Sequence, residues 1–187
     1  MLITRFIREN RGLAAVEFAL SLPILLALLM GGYEYARYLL IHVKMENIAF
    51  TISDIMTQQT AVTNGQLNQY MVAASQIMEP YSFDDGYGAV FISSVNKEVG
   101  NTQEVSWQYN YRTDVVGHER TSAVGSENAA ATLPNGLLLH DDETVLVTEV
   151  FYDFQPVFAG FLLNASTIYR SSVFKPRFGT LTTPPSN

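Results

Sequence analysis

The longest apolar run in the chain is Leu13–Tyr33, broken in polarity only by Glu17 and Ser21. Its 21 residues match the roughly 20 that a helix needs to cross a bilayer core. Past the run, apolar residues recur at Tyr35, Tyr38, Leu39, Ile41, Met45, Ile48, Ile52, Ile55 and Met56, with Glu34, Arg37, Lys44, Glu46 and Asp54 between them. That spacing is close to the helical period. The pattern predicts one helix over residues 13–59, about 70 Å long at 1.5 Å per residue. Its first half suits lipid, and its second half offers an apolar stripe to a folded domain.

Further along, Asn64-Gly65 signals a turn within residues 60–65. Residues 66–78 then form a shorter helix that ends before Pro80, and 82–88 a loop. Residues 89–95 and 104–111 have the pattern of paired strands joined by a polar turn near Gly100; the second alternates Val105, Trp107, Tyr109 and Tyr111 on one face. Residues 112–136 mix Gly, Ser, Asn and Ala without a sustained period. They are expected as a surface loop with fragments of structure, and a connection of that length tends to be functional or mobile. Residues 144–154 and 165–174 supply two more strands, joined through 155–163, and 180–187, with Pro184-Pro185, a flexible tail. The sum is an α+β architecture: a long N-terminal transmembrane helix, its outer half packed on a small antiparallel sheet of about four strands.

Charge orients this arrangement. The whole chain carries a net −7, so it has no basic footprint for nucleic acid. Its first 12 residues are the exception, with Arg5, Arg8 and Arg11 against Glu9. Arginines before the span and none within it predict a cytoplasmic N-terminus, with the rest of the chain outside. Tyr33, Tyr35 and Tyr38 fall where an aromatic belt is expected at the outer interface. An ordinary secretory signal has a shorter apolar core closed by a small-residue cleavage site, and neither is present here. With no cysteine, disulfides and thiolate metal sites are excluded.

Glu17 is the residue out of place. A carboxylate at the centre of a membrane helix costs roughly 2.5–3.5 kcal/mol on insertion scales. A position near the start of the span relieves part of that by snorkelling. Taken alone it reads as a tolerated interfacial acid. Its surroundings are Arg11-Gly12-Leu13-Ala14-Ala15-Val16-Glu17-Phe18: a basic leader ending in glycine, an apolar residue, and a glutamate fifth after the glycine. This resembles the class III signal peptide of type IV pilins and pseudopilins. The longer stretch, running on through Ala19-Leu20-Ser21-Leu22-Pro23, is similar to the TadE-like pseudopilins, minor components of the tight-adherence (Flp pilus) apparatus. Major Flp pilins are much shorter and usually carry Tyr where this chain has Phe18. The resemblance is strong over residues 8–40 and returns faintly in Lys175-Pro176-Arg177-Phe178-Gly179.

The resemblance implies a prepilin leader at 1–12, a transmembrane part at 13–35, an extracytoplasmic pilin-like domain at 36–179 and a tail at 180–187. A prepilin peptidase would cut between Gly12 and Leu13. The freed α-amine, with a reference pKa near 7.7–8.0, would be neutralised by Glu17 of a neighbouring subunit and so set the docking register. Cleavage removes Arg5, Arg8, Arg11 and Glu9, moving the balance from 11 basic against 18 acidic residues to 8 against 17, a net −9. The implied partners are the prepilin peptidase, other pilins and pseudopilins, and an inner-membrane assembly platform. The implied location is the bacterial inner membrane, with the outer domain periplasmic and the subunit available to an extracellular pilus. A large outer domain suits an initiation or tip complex. Pro23 has no N–H to donate and would kink the span, either harmlessly or as a flexible point for extraction from the bilayer. The alternative is an unprocessed single-pass anchor carrying a periplasmic interaction module, with Glu17 incidental.

Enzymatic chemistry finds little support. His42, His118 and His140 have no metal-ligand spacing on one element. His140-Asp141-Asp142-Glu143 suits a solvated turn into a strand, and Asp84-Asp85-Gly86 lacks the further acids of a calcium loop. No phosphate loop or nucleophile elbow is present. The chain is therefore expected to be no enzyme and to need no cofactor. Tyr81, Tyr87, Trp107, Tyr109, Tyr111, Phe151, Tyr152 and Phe154 fit ordinary strand packing, or in part a contact surface for other pilus components.

Overall fold

A run of apolar residues at helical spacing nucleates the first element, α1, Leu13–Thr57. The computed structural model describes residues 12–158 and 162–186. Of the expected leader only Gly12 falls inside the described residues. These residues form two compact units: one from the described residues up to Leu39 together with Gln155–Ala165, the other from Leu40–Phe154 with Ser166–Asn187. Helix α1 contributes to both.

In the larger unit α1 buries Ile41, Met45, Ile48, Ala49, Ile52 and Met56, each at most 2% exposed. They recur every three or four residues, one face of a helix. The last turn is closed locally: Thr57 Oγ1 donates to Asp54 O at 2.8 Å, and Arg177 N donates to Thr57 O at 2.9 Å. Helix α2, Asn64–Met78, buries Leu67, Met71, Ala74 and Met78. It starts two residues before the expected position, because Thr63 caps it. Thr63 Oγ1 accepts from Gln66 N at 3.2 Å and Gln66 Oε1 from Thr63 N at 2.9 Å, a reciprocal capping box. Asn64-Gly65 is thus the first turn of the helix and not the turn before it. At the other end Glu79 N donates to Gln76 O at 3.3 Å, and Lys44 of α1 adds bonds to Ile77 O and Glu79 O, at 2.8 and 2.7 Å.

The sheet is fully antiparallel, in the order β2-β1-β3-β4. Its strands are β1 Gly88–Lys97, β2 Glu104–Tyr111, β3 Glu143–Phe154 and β4 Ser166–Phe174. One face takes α1: Ser53 Oγ donates to Thr148 Oγ1 at 2.8 Å and lies 2.6 Å from Ser172 Oγ. The α+β arrangement expected from the sequence, with a helix half packed on four antiparallel strands, is the one observed.

The opposite face shows what the sequence hid. The segment expected as a surface loop packs there as a layer. Its Val124, Ala131 and Leu133, with Leu139 just beyond it, bury against Val95, Val105, Val145 and Val147. Backbone bonds hold it to β2: Asn128 N to Val105 O at 2.8 Å, Val105 N to Ala129 O at 3.0 Å and Ala131 N to Gln103 O at 2.9 Å. Covered on both faces, β1 is buried along residues 88–95, the pattern of a central strand. The described part of the expected tail is also tied down. Leu181 is 4% exposed and its carbonyl accepts from Trp107 Nε1 at 2.6 Å, while Ser186 exchanges backbone bonds with Val62 and Asn64.

Candidate functional site

Helix α1 begins at Leu13, directly after Gly12. A Cβ added to Gly12 would meet nothing within 4 Å, so space alone does not require glycine there. Leu13, Val16, Phe18 and Leu20 are each more than half exposed. Glu17 is exposed among them. It lies four positions after Leu13, so both lie on one helical face, one turn apart. The helix continues through Pro23, whose missing N–H leaves the Ala19 carbonyl without its usual donor. Ser21 Oγ donates back to Phe18 O at 3.1 Å, which satisfies the hydroxyl inside an apolar stretch. The helix is long and apolar enough to cross a membrane, and its most apolar window buries no residue. That is compatible with single-pass anchoring.

At the end of the apolar run lies a group that the sequence did not single out. Glu34 is 2% exposed. Its Oε2 accepts the backbone N–H groups of Val157 and Phe158 at 2.9 and 3.1 Å. Its Oε1 pairs with Arg37 Nη1 at 3.2 Å, and the same nitrogen donates to Gln155 O at 2.8 Å. In the sequence Glu34 and Arg37 are polar positions between the apolar ones of the helical pattern. An acid one residue past the apolar span, with an arginine three residues on, was the available signal. It stays mute until the partner loop is known.

Two further carboxylates organise the sheet. Asp153 meets His118 Nδ1, Arg120 Nη2 and the Thr167 hydroxyl, the last at 2.7 Å. Burial pushes its pKa up, but the hydrogen bonds from Thr167 and His118 and the charge of Arg120 outweigh that, so the net shift is downward. A carboxyl with a lowered folded pKa stabilises the fold above its ordinary value of about 3.9, and that contribution fades as pH falls through the folded value. Asp153→Asn should therefore be less stable than wild type at pH 7. The gap should close below about pH 4 in thermal melts of the full chain in mild detergent; a gap constant from pH 7 to pH 3 would contradict this account. Glu149, fully buried, accepts from the Ser122 hydroxyl, from Ala123 N at 2.9 Å and from the Tyr169 hydroxyl at 3.0 Å. Tyr169 is pushed up to about 12, chiefly by burial; a hydrogen bond from Ser171 pulls the other way and the nearby Glu149 adds to the rise.

Among the described residues no group of three or more His, Cys, Asp or Glu side chains is placed to hold a metal ion. His140 N donates to Glu143 Oε2 at 2.9 Å, and Asp141 pairs with Lys97 at 3.0 Å, as suits a turn entering β3. Asp84 accepts from the Tyr111 hydroxyl at 2.9 Å, in a turn. Several of the aromatic residues are used inside the fold. Trp107, Tyr152 and Phe154 are buried, and the Phe151 ring packs against Phe91 and Tyr169 at centroid distances of 5.8 and 5.0 Å.

A family model described as TadE-like protein matches residues 12–52. This stretch is TadE-like. The resemblance carried by the residues around Gly12 and Glu17 is thereby borne out. The TadE-like stretch takes in Gly12, Leu13, Glu17 and Pro23, the Glu34–Arg37 pair, and most of the stripe that α1 presents to the sheet. It ends within α1, before α2 and the strands. No curated protein and no solved structure matches the chain.

Proposed function

We propose that this chain is a minor pilin, a pseudopilin of the tight-adherence (Flp) type, that acts in pilus assembly and not as an enzyme. A prepilin peptidase cuts between Gly12 and Leu13 on the cytoplasmic side of the inner membrane. The span stays in the bilayer with the larger unit outside, until an assembly platform adds the subunit to other pilins. The observation that carries this reading is the TadE-like match, which begins at Gly12 and covers an exposed apolar helix with one carboxylate near its start.

The chemistry is that of matched charges in a poor solvent. Cleavage creates an α-amine at Leu13, largely protonated at neutral pH. An unpaired charge at that depth is costly. Glu17 of an adjacent subunit neutralises it, and only at one axial register of helix against helix. Removal of Arg5, Arg8 and Arg11 also frees the helix from its cytoplasmic anchor. A single subunit with a four-stranded outer domain suits an initiating or tip complex.

Co-expression with an active prepilin peptidase tests the reading. The wild-type chain should lose residues 1–12 by intact mass, and Gly12→Arg should keep them. Equal masses with and without the peptidase would contradict it.

A further inference from the structure

The connection between β3 and β4 is the least polar loop in the chain. From Phe154 to Tyr169 the sequence holds no Asp, Glu, Lys or Arg, and Pro156-Val157-Phe158-Ala159-Gly160-Phe161-Leu162-Leu163 is apolar throughout. Among its described residues Pro156, Phe158 and Leu163 are half-buried, but Val157 is 57% exposed and Leu162 62%. Yet the backbone beneath them is firmly held. Glu34 takes the N–H groups of Val157 and Phe158, Arg37 takes the Gln155 carbonyl, and the Phe158 ring meets Tyr33 edge-on at 6.2 Å. Leu162 covers Gly31 so closely that a Cβ on Gly31 would run into its methyl group. A buried carboxylate spent on positioning a loop that leaves Val157 and Leu162 largely exposed is not explained by packing within the unit.

The level of attachment identifies what those side chains meet. The contacts on α1 are Gly31, Tyr33, Glu34 and Arg37, which bracket the end of the 21-residue apolar run at Tyr33. A run of that length just fills the hydrocarbon core, so these residues stand at its outer boundary, with tyrosines at headgroup level. The residues held there, Gln155, Val157, Phe158 and Leu162, carry no charge and continue the lipid-facing surface of the helix sideways into the interface. We propose that the described part of the β3–β4 loop is a second membrane contact, which lays Val157 and Leu162 into the outer interface of the bilayer, and that Glu34 is the residue that positions it. Such shallow burial of an apolar edge is how interfacial segments bind lipid. The proposal rests on the membrane-spanning part of the reading above and not on processing or pilus assembly.

The absence of cysteine in the chain allows a direct test. Single variants Val157→Cys and Leu162→Cys carry an environment-sensitive fluorophore, with Leu25→Cys as a marker in the span and Val116→Cys, at a site 90% exposed, as an aqueous marker. The full chain is reconstituted in phosphatidylcholine–phosphatidylglycerol vesicles. Labels at 157 and 162 should be quenched several-fold more by lipids spin-labelled near the headgroup than by aqueous iodide, and the label at 116 the reverse. Labels at 157 and 162 that follow 116, or that neither quencher reaches because a second copy covers them, would overturn the proposal. If the label at 25 escapes deep spin-labelled lipid, the span itself fails and the loop proposal with it; if only the loop labels escape, the span stands. Glu34→Ala should shift the label at 157 toward iodide without moving the label at 25. Glu34→Gln, which keeps an acceptor oxygen for the two N–H groups, should hold it in lipid. No shift with Glu34→Ala would refute the positioning role.

Discussion

Glu17→Ala should reduce the amount of this chain recovered in pili at least about tenfold while leaving its membrane insertion and processing intact. The factor follows from pairing: about 1.4 kcal/mol is a factor of ten, and a charge unpaired in lipid costs more than that. Removing Glu17 lowers the cost of inserting α1, so a plain anchor would tolerate the change or gain from it. An assembling subunit would instead bring a protonated Leu13 amine into the helix bundle with no carboxylate to meet it. Glu17→Gln should fail nearly as fully as Ala, since it keeps the size and loses the charge. Glu17→Asp should retain part of the function. The measurement is the chain's abundance in sheared, purified pili relative to membranes. Wild-type abundance for Glu17→Ala would favour the unprocessed anchor.

The second large effect belongs to stability. Glu149→Ala should cost about 3 kcal/mol, because a buried donor left without its acceptor costs about 1–3 kcal/mol and three donors converge on this carboxylate. They are the Ser122 hydroxyl, Ala123 N and the Tyr169 hydroxyl. Two of the three come from the long β2–β3 connection, so the substitution should loosen that layer first. Tyr169→Phe removes one donor with its hydroxyl and should cost only about 1 kcal/mol. The single tryptophan, Trp107, is 1% exposed and reports unfolding of the full chain in mild detergent by fluorescence. A loss under about 1 kcal/mol for Glu149→Ala would mean that water replaces the carboxylate and that the layer is loosely held.

These two carboxylates also mark what a sequence can and cannot reveal. Glu17 was legible because its context is local: a basic leader, a glycine and an apolar run surround it within a few residues. Helix α1 and the strands were legible for the same reason, since periodicity is a property of neighbours; β2 has the expected bounds, 104–111, and the others differ by one or two residues. Glu149 and Glu34 were not legible, because their partners are distant in sequence. Glu34 binds residues 123 and 124 positions away. The layer over the second sheet face escaped for a related reason. Val124, Ala131, Leu133 and Leu139 follow no period, since their positions are fixed by individual bonds to β2 and β3 and not by a helix or ladder. Gly31 lies within the apolar run and has no local signal of its own. Its use is to admit Leu162, which no local pattern announces.

The most direct measurement is N-terminal sequencing of the protein recovered from its native membrane, beside the Gly12→Arg variant. The account predicts a start at Leu13 for the wild type and an uncut leader for Gly12→Arg. An intact Met1 in wild-type cells with an active prepilin peptidase would contradict it and leave a single-pass anchor in its place.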